Sequence, residues 1–379
     1  MSGYNTSSIC FVSDTIHTYF GSGIEKGVGG AERQQYLIAQ QLAERGVNVK
    51  VATLEYNNET QVRICDDIEV WHCIPDKRGL ISSPSKLFSL LRSLHRVDAD
   101  IYYVRGNDFL CIATALYCRL TESKFVYAIA NDSNVEPSHL EKKNPIVRYL
   151  YILAIKNADA VTVLTPYQQK VLNEEHNVAS TVIPCGYDLP PDAELLDHTD
   201  REFVLWVGRL DRDQKRPDRY LKIAKQLPEI PFVMVGPPDN DDFGNSYFES
   251  VKNKSNSINN LDFVDFVPPE EIYKYFQKAS IVLNTSEYEG FGNVFLEAWR
   301  YGTPVVTLKY TLHGVINEKK VGIHAESLNE MIKIVADLHC DPKKRQKMGK
   351  ESRKLVRDRY SIESVVDSYL KIFKHICDG

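Results

Sequence analysis

The sequence has 379 residues, of which 43% are hydrophobic and 26% are charged, as is typical of a soluble globular chain of about two domains. The formal net charge is −5 and no basic arm or tail is present, so we expect no nucleic-acid partner. No apolar run approaches the roughly 18 residues that span a bilayer, and the amino terminus lacks the pattern of a secretory signal, so we expect a cytoplasmic protein.

The eight cysteines include no C-x-x-C pair, and the ten histidines are scattered along the chain. This spacing is typical neither of a zinc site nor of a small disulfide-bonded scaffold. We therefore predict free thiols in a reducing compartment and no metal site.

The first half of the chain alternates β-rich runs with helical stretches. The runs that predict strands are SICFVSD, NVKVATLE, DIYYVRG, KFVYAIAND and DAVTVLT. Between the first two, GGAERQQYLIAQQLAERG has the three-to-four spacing of an amphipathic helix. Such alternation predicts a parallel sheet that is covered by helices on both faces.

The segment PPDAELLDHTDRE, from Pro190 to Glu202, breaks this pattern, because its prolines and acids show no periodicity; it predicts a linker. Alternation then resumes, with strands predicted at FVLWVGRL, PFVMVGP, LDFVDFV, SIVLNTS and TPVVTL and helices at RPDRYLKIAKQLP, EEIYKYFQKA and GNVFLEAWRYG. Two such halves predict a cleft between them, with ligands bound outside the carboxyl ends of the strands.

The stretch SEYEGFGNVFLEAWRYGTPVV places two glutamates, Glu289 and Glu297, eight residues apart in an apolar neighbourhood. Gly290 and Gly292 follow the first glutamate. Glycines at a strand end allow a sharp turn and a close approach of the backbone to a ligand. The stretch therefore predicts a binding loop between a buried strand and a helix.

The amides around Gly292, Asn293 and Val294 would lie at the amino terminus of that helix, where phosphate groups bind. Carboxylates accept hydrogen bonds from sugar hydroxyls, so Glu289 and Glu297 suit a phosphorylated sugar. Solvated acids at a helix end explain the same spacing, and the residues alone leave both interpretations open.

Two cations, Arg209 and Lys215, follow the predicted strand FVLWVGRL at the start of the second half. Their position at the carboxyl end of a strand suits a diphosphate, whose developing charge they would stabilise. Arg212 and Arg216 lie nearby, so a basic surface loop is the alternative interpretation.

The glutamate stretch closely resembles the E-x7-E signature of retaining glycosyltransferases of family four (glycosyl transferases group 1), which have the GT-B fold. The resemblance implies that Glu289 contacts the donor sugar and Glu297 the nucleotide ribose. It also implies that the loop amides from Phe291 to Val294 meet the sugar and diphosphate. The fold expected from it has two Rossmann-like domains with a cleft: an acceptor domain at 1–195, a donor domain at 196–360, and a helix at 361–379 that crosses back.

Other segments are similar to the same family. The family pattern G-R-L…K-x-P matches Gly208, Arg209, Leu210, Lys215 and Pro217. The match implies that Arg209 and Lys215 stabilise the diphosphate without a metal ion. DFVPPEEI resembles the segment whose backbone meets the base, so Phe266 and Val267 are candidates for that contact.

In the first half, GGAE resembles the family's glycine loop, so we expect Gly30 near the donor phosphate. IPCGYD resembles the family's I-P-N-G-V-D, with Cys185 at the position of the usual asparagine. We expect this cysteine to be a packed thiol, because no histidine and carboxylate can be assigned as its partners.

The chain departs from the family where a histidine usually ends a middle strand, because KFVYAIAND ends in Asn131 and Asp132. We expect these two residues to contact the sugar or the acceptor. Arg105 ends another strand and either faces the acceptor or pairs with Asp108 or Asp132.

A dinucleotide-binding motif is the competing interpretation of GSGIEKGVGG. Gly21 and Gly23 begin G-x-G-x-x-G, but Lys26 stands at the third glycine position. Glu55 ends the second predicted strand, where a dehydrogenase would bind ribose. An NAD-dependent dehydrogenase therefore stays an alternative that the lysine disfavours.

The segment KKNPIVRYLYILAIK, from Lys142 to Lys156, combines basic residues with a short apolar run. Two interpretations stay open for it: a core helix with basic ends, and a helix that contacts the inner face of an anionic membrane.

Together with these residues, the resemblance implies a retaining, metal-independent glycosyltransferase without a cofactor. Its co-substrate would be a nucleotide-diphospho-sugar, linked to UDP or GDP, and its acceptor a hydroxyl of a glycan or glycolipid, as in polysaccharide assembly. A sugar-nucleotide epimerase of the same fold, the dehydrogenase and a non-catalytic binding subunit are the alternatives.

Overall fold

A computed structural model describes residues 7–20, 29–55, 61–75, 84–238, 244–268 and 270–378. The chain divides into two compact units, one formed by Met1–Gly186 together with Ile362–Gly379 and the other by Tyr187–Ser361. Most of the predicted glycine loop, residues 21–28, lies outside the described residues.

The first unit is built on an eight-stranded sheet with the order β3-β4-β2-β1-β5-β6-β7-β8. Its strands are β1 Ile9–Val12, β2 Val49–Leu54, β3 Gln61–Cys65, β4 Ile68–Ile74, β5 Ile101–Arg105, β6 Lys124–Ala128, β7 Ala160–Val163 and β8 Thr181–Val182. All pairs are parallel except β3 with β4, which is antiparallel. The sheet is therefore a doubly wound one with a single antiparallel edge strand.

Seven α-helices belong to this unit in the part of the chain that the structure describes. They are α1 Gly30–Glu44, α2 Pro84–Val97, α3 Asp108–Thr121, α4 Pro137–Leu140, α5 Pro145–Lys156, α6 Pro166–His176 and α14 Ile362–Asp378. Two short 3-10 helices, Ile16–Tyr19 and Asp132–Asn134, follow strand ends.

Local sequence explains where these elements end. Gly46 adopts φ +79° just after α1, a left-handed conformation that glycine tolerates best. The Thr165 side chain accepts a hydrogen bond from the Gln168 amide at the start of α6, and Asn177 ends that helix with φ +51°. Strand β5 is buried along its whole length, as expected for a central strand covered on both faces.

Helix α14 completes the core on one face of this sheet. Its side chains Val366, Tyr369 and Phe373 pack in one apolar cluster with residues of β1 and α1, including Phe11 and Ile38. The Tyr369 hydroxyl lies 3.1 Å from the hydroxyl of Tyr103 on β5. This terminal helix is thus part of the first unit's hydrophobic core.

The second unit has a six-stranded parallel sheet with the order β11-β10-β9-β12-β13-β14. Its strands are β9 Phe203–Val207, β10 Phe232–Val235, β11 Leu261–Val264, β12 Ala279–Asn284, β13 Val305–Thr307 and β14 Gly322–His324. Its helices are α7 Pro217–Gln226, α8 Gly244–Ser255, α9 Tyr273–Lys278, α10 Asn293–Trp299, α11 Val315–Glu318, α12 Leu328–His339 and α13 Pro342–Arg359. The carboxyl ends of β9 and β12, which are neighbours, carry the predicted site residues.

The segment predicted as a linker is packed against the second unit. It contains the 3-10 helix Asp192–Glu194, and His198 and Arg201 are buried to 8% and 6% exposure. Arg201 donates hydrogen bonds to the carbonyl oxygens of Tyr301 and Ala279. The segment is therefore irregular in structure, as its lack of periodicity indicates, but it is held to the second unit by hydrogen bonds and is not a free linker.

Candidate functional site

Glu289 is held by three side chains just beyond the end of β12. Asn284 Nδ2 and Ser286 Oγ donate hydrogen bonds to its carboxylate at 3.1 Å and 2.7 Å. The ammonium of Lys215 lies 2.7 Å from both of its oxygens. Only 5% of Glu289 is exposed, so the interpretation as a solvated helix-end acid does not describe it. Its partners instead fix the direction in which the carboxylate points.

The loop after β9 brings Lys215 to this position through backbone contacts. The carboxylate of Asp211 accepts hydrogen bonds from the amides of Asp213 and Gln214, which closes a tight turn. Thr285 Oγ1 then donates to the carbonyl oxygen of Lys215 at 2.8 Å. The two strand ends are therefore joined by their loops, and residues far apart in sequence meet at one edge of the sheet.

Gly208 and Arg209 leave the same strand end. A side chain at Gly208 would come within 3.3 Å of the Trp206 ring, so the loop lies close to the strand that precedes it. Arg209 is exposed. The neighbouring Arg216 pairs with Asp218 and Glu287 at 2.9 Å and 3.1 Å, so this cation is locally neutralised.

The backbone turns sharply at Gly292, which precedes α10 with φ +77°. A Cβ atom there would lie 2.8 Å from the Phe295 ring, so both conformation and space favour glycine. Gly290 and Phe291 are buried, whereas Asn293 and Val294 are partly exposed at the start of the helix. The first amides of α10 thus lie beside the loop that carries Glu289.

Glu297 lies one turn further along α10 and is partly exposed. The hydroxyl of Tyr187, a fully buried residue, donates to its carboxylate at 3.4 Å. The guanidinium of Arg300 lies 5.6 Å from the centre of the Tyr187 ring. Sequence reasoning missed Tyr187; its only signal was its place in IPCGYD.

Phe266 and Val267 follow the end of β11 and are partly buried. Strand β11 pairs with β10, which pairs with β9, so these residues lie at the same sheet edge as Gly208. The predicted donor-binding residues of the second unit therefore all follow carboxyl ends of its parallel strands or lie on the helix after one of them.

The predicted residues of the first unit lie in that unit's own sheet edge and loops. Gly30 is exposed and begins α1. Asn131 accepts a hydrogen bond from the Ser133 amide and caps a 3-10 helix. Asp132 is buried and accepts from Gln168 Nε2 at 2.8 Å.

Arg105 is 6% exposed and donates a hydrogen bond to the sulfur of Cys185 at 3.3 Å. Burial raises the pKa of the Cys185 thiol although Arg105 opposes the shift, so the cysteine is a packed neutral thiol. Asp108, one of the two acids considered as partners of Arg105, pairs with Lys143. The guanidinium thus has an interior contact that the sequence did not reveal.

Neither metal ligands nor membrane spans appear among the residues that the structure describes. No group of three or more His, Cys, Asp or Glu side chains there could hold a metal ion. Within the same ranges, no helix has the length and apolar character needed to cross a bilayer.

Comparison with known families places matches on both units. Residues 192–355 match the model of glycosyl transferases group 1, and residues 28–190 match the model of glycosyltransferase family 4. A glycosyltransferase of Haemophilus influenzae is 24% identical over 358 residues, which cover 90% of this chain and 95% of that protein.

Solved structures are similar over nearly the full length. Sucrose-phosphate synthase of Thermosynechococcus elongatus superposes with a TM-score of 0.81 at 19% identity, covering 98% of this chain and 99% of that one. Anabaena HepE, in complex with UDP and glucose, gives a TM-score of 0.74 at 16% identity, covering 97% of this chain and all of that one. At these identities the likeness shows the fold.

Proposed function

The chain belongs to the group 1 glycosyltransferases and has the GT-B fold, and on that premise we propose a retaining, metal-independent transfer of a sugar. The donor is a nucleotide-diphospho-sugar carried by UDP or GDP, and the acceptor is a hydroxyl of a glycan or glycolipid. The expectation of a GT-B glycosyltransferase is thereby confirmed, and the dehydrogenase alternative is wrong.

The pairing of Lys215 with Glu289 is the observation that carries this proposal. An ammonium has three hydrogen-bond donors, and Glu289 accepts two of them here, which leaves one for a phosphate oxygen. Lys215 and Arg209 then meet the diphosphate, while Glu289 orients the sugar hydroxyls beside it. This pair of side chains thus contacts both the diphosphate and the sugar of the donor. The bond that breaks in the transfer joins those two groups.

The remaining donor contacts follow from the same sheet edge. The amides of Gly292 to Val294 face the diphosphate, and Glu297, positioned by Tyr187, accepts from the ribose hydroxyls. The backbone at Phe266 and Val267 meets the base. In the first unit, Gly30 approaches the donor phosphate, and Asn131 and Asp132 contact sugar or acceptor.

Arg105 differs from these residues, because its guanidinium is buried against Cys185. It therefore acts on the proposed acceptor region by holding the end of strand β5 in place.

In the proposed reaction the bond between the anomeric carbon and the diphosphate oxygen breaks, and a bond from that carbon to the acceptor oxygen forms on the same face. The acceptor proton passes to the leaving phosphate oxygen, so no enzyme carboxylate acts as nucleophile or base. Arg209 and Lys215 stabilise the negative charge that develops on the leaving group. Glu289 already accepts three side-chain partners, which suits an orienting role.

A glycolipid acceptor is supported by an exposed apolar surface on two neighbouring helices of the first unit. We define it as the apolar patch: Leu116 and Leu120 of α3 and Ile146, Tyr149, Leu150 and Leu153 of α5. Three of these side chains are at least 67% exposed, whereas Tyr151 and Ile155 of α5 point into the core. Helices α3 and α5 pack side by side.

Exposed basic residues lie on the same two helices or just before α5: Arg119, Lys142 and Lys156. Apolar side chains with cations at their edge suit the interface of an anionic bilayer. We therefore propose peripheral contact with the inner face of a membrane, where a lipid-linked acceptor would be found.

Thermal stabilisation by UDP, GDP and NAD tests the donor site. We expect UDP or GDP, at about a hundred times its dissociation constant, to stabilise the protein by roughly 2.7 kcal/mol. Arg209→Ala should abolish that shift, whereas Arg212→Ala, a matched change on the same loop, should keep it. Stabilisation by NAD alone, or by a nucleotide equally in both variants, would contradict the proposed site.

Donor and acceptor assays separate transfer from the other activities of this fold. Sugar transferred to an acceptor with its anomeric configuration kept supports the proposal. A changed free sugar nucleotide without an acceptor would show an epimerase, and binding without turnover across a broad acceptor panel would show a non-catalytic subunit.

A further inference from the structure

Helix α13 carries an unusually basic face. Of its 18 residues, nine are Lys or Arg and two are acidic, although the whole chain has a net charge of −5. Five of the cations recur every three or four residues and so form one stripe, which we call the basic face: Lys343, Lys347, Lys350, Lys354 and Arg357. All five are exposed, and none forms an ion pair with any residue that the structure describes.

A cavity of about 470 Å³ lies beside one end of this face and wholly within the second unit. It is bounded by α13, by the segment 192–201 and by the turn at 301–302. Three members of the basic face line it: Lys350, Lys354 and Arg357. Two further cations, Arg201 and Arg353, also line it, together with the carboxylates of Asp192 and Asp197.

Arg201 and Arg353 are held by backbone carbonyl oxygens. Arg201 donates to Tyr301 O at 2.6 Å, and it has no ion pair in the part of the chain that is described. Arg353 donates to Pro190 O at 2.8 Å as well as to Asp192. Such contacts fix the guanidinium groups in place but leave their positive charge only partly compensated. The cavity therefore carries an excess of positive charge.

His198 lies beside these cations. It lines the cavity and is 8% exposed, and burial together with Arg201 and Arg345 lowers its pKa to about 3. The imidazole therefore stays neutral at physiological pH and adds no charge. An anion in the cavity would relieve the repulsion among the surrounding cations.

We propose that this cavity binds a small, multiply charged anion, a phosphate-bearing molecule above all. Ammonium and guanidinium groups on converging walls are the side chains that bind phosphate oxygens through charge-assisted hydrogen bonds. The buried Arg201 and Arg353 line the cavity, where a small ligand can contact them but a flat macromolecular surface cannot. This favours a small ligand. None of its lining residues belongs to the proposed donor site, so it is a second anion site in the same unit.

Binding of inorganic pyrophosphate tests the proposal by calorimetry and by the ring resonances of His198, identified from their loss in His198→Gln. We expect saturable binding that shifts those resonances with one dissociation constant. The triple variant Lys350→Gln/Lys354→Gln/Arg357→Gln should lose at least about tenfold in affinity. The matched triple Lys343→Gln/Lys344→Gln/Lys347→Gln, with the same charge change on the same helix, should keep it.

Further variants make the outcome decisive. Lys350→Arg/Lys354→Arg keeps the charge and should keep binding, which separates a lost ligand contact from a lost fold. Arg209→Ala removes the proposed donor contact and should leave the His198 shift unchanged; loss of the shift in that variant alone would place pyrophosphate at the donor site. Equal loss in both triple variants, or the same shift with sodium chloride at matched ionic strength, would overturn the proposal.

Discussion

Lys215 and Glu289 form a close ion pair, with the ammonium 2.7 Å from each carboxylate oxygen although 74 residues separate them. The sequence gives them separate expected roles, one toward phosphate and the other toward sugar. Their contact means that each determines where the other points. Loss of Lys215 therefore affects the proposed sugar contact of Glu289 as well as the phosphate contact.

We first expect Lys215→Met to destabilise the second unit by roughly 3 kcal/mol, because it leaves the buried Glu289 without its charged partner. Lys215→Met/Glu289→Gln should recover much of that loss, which urea unfolding would measure. Lys222→Met is the control, since Lys222 is 66% exposed and reaches Asp218 only at 4.0 Å. Equal effects of the two lysine substitutions would show that the buried pair adds no stability.

Glu289→Ala should lower turnover far more than nucleotide affinity, by roughly a hundredfold in kcat. The carboxylate is proposed to orient the sugar, whereas UDP and GDP lack that sugar. Steady-state kinetics and calorimetry with the nucleotide diphosphate measure the two effects. Glu287→Ala, a nearby acid that pairs with Arg216 and Arg219, serves as the control. Turnover equal to wild type in Glu289→Ala would remove the orienting role.

Gly292→Ala should cost more stability than Gly46→Ala. Both glycines have positive φ, +77° and +79°, so alanine is strained at either position by about 1–2 kcal/mol. A Cβ at Gly46 meets no atom within 4 Å, whereas one at Gly292 lies 2.8 Å from the Phe295 ring. Urea unfolding of both variants separates backbone strain from crowding. If Gly292→Ala alone also weakens donor binding, the loop geometry matters for the ligand.

His198 predicts a pH dependence of stability. Its pKa is about 3 in the folded chain and near 6.5 when unfolded, so the unfolded state binds the extra proton between these values. Its contribution is complete above pH 6.5 and is lost as the pH falls toward 3, with a slope of up to about 1.4 kcal/mol per unit. His198→Gln should flatten the curve below pH 6.5, as urea unfolding across pH would show. A parallel curve for the variant would contradict the shift.

Leu150→Ser/Leu153→Ser should reduce binding to vesicles that contain phosphatidylglycerol, because it removes two side chains of the apolar patch. Cosedimentation measures the bound fraction. Phe88→Ser is the control, since Phe88 is 69% exposed on α2, outside the patch. Binding equal to wild type, or a loss of the same size in Phe88→Ser, would contradict docking through this patch.

The sequence predicts much of the fold because its strands carry a strong local signal. The run SICFVSD contains the buried strand β1, and SIVLNTS covers all but the first residue of the buried strand β12. The interruption after each run marks the strand end. The hairpin of β3 with β4 was not predicted. Its first strand is largely exposed, with Ile64 76% accessible, so it lacks a simple alternating pattern.

The sequence predicts which residues form the site but not which of them contact each other. The spacing of Glu289 and Glu297 can be seen in the sequence alone, and so can the two cations after β9. The contacts of Glu289 with Lys215 and of Glu297 with Tyr187 depend on loops that meet only after folding. The burial of Arg201 and His198 was missed for a similar reason, because arginines that bind carbonyl oxygens leave no pattern among side chains.

Helix α14 has a consequence for synthesis of the chain. The ribosome completes residues 187–361, which form a unit of their own, before it makes Ile362–Asp378. Until then the sheet of the first unit lacks Val366, Tyr369 and Phe373, and its apolar face around Phe11 stays accessible. The segment made second can therefore fold before the segment made first, and the nascent first unit exposes its apolar surface for longer.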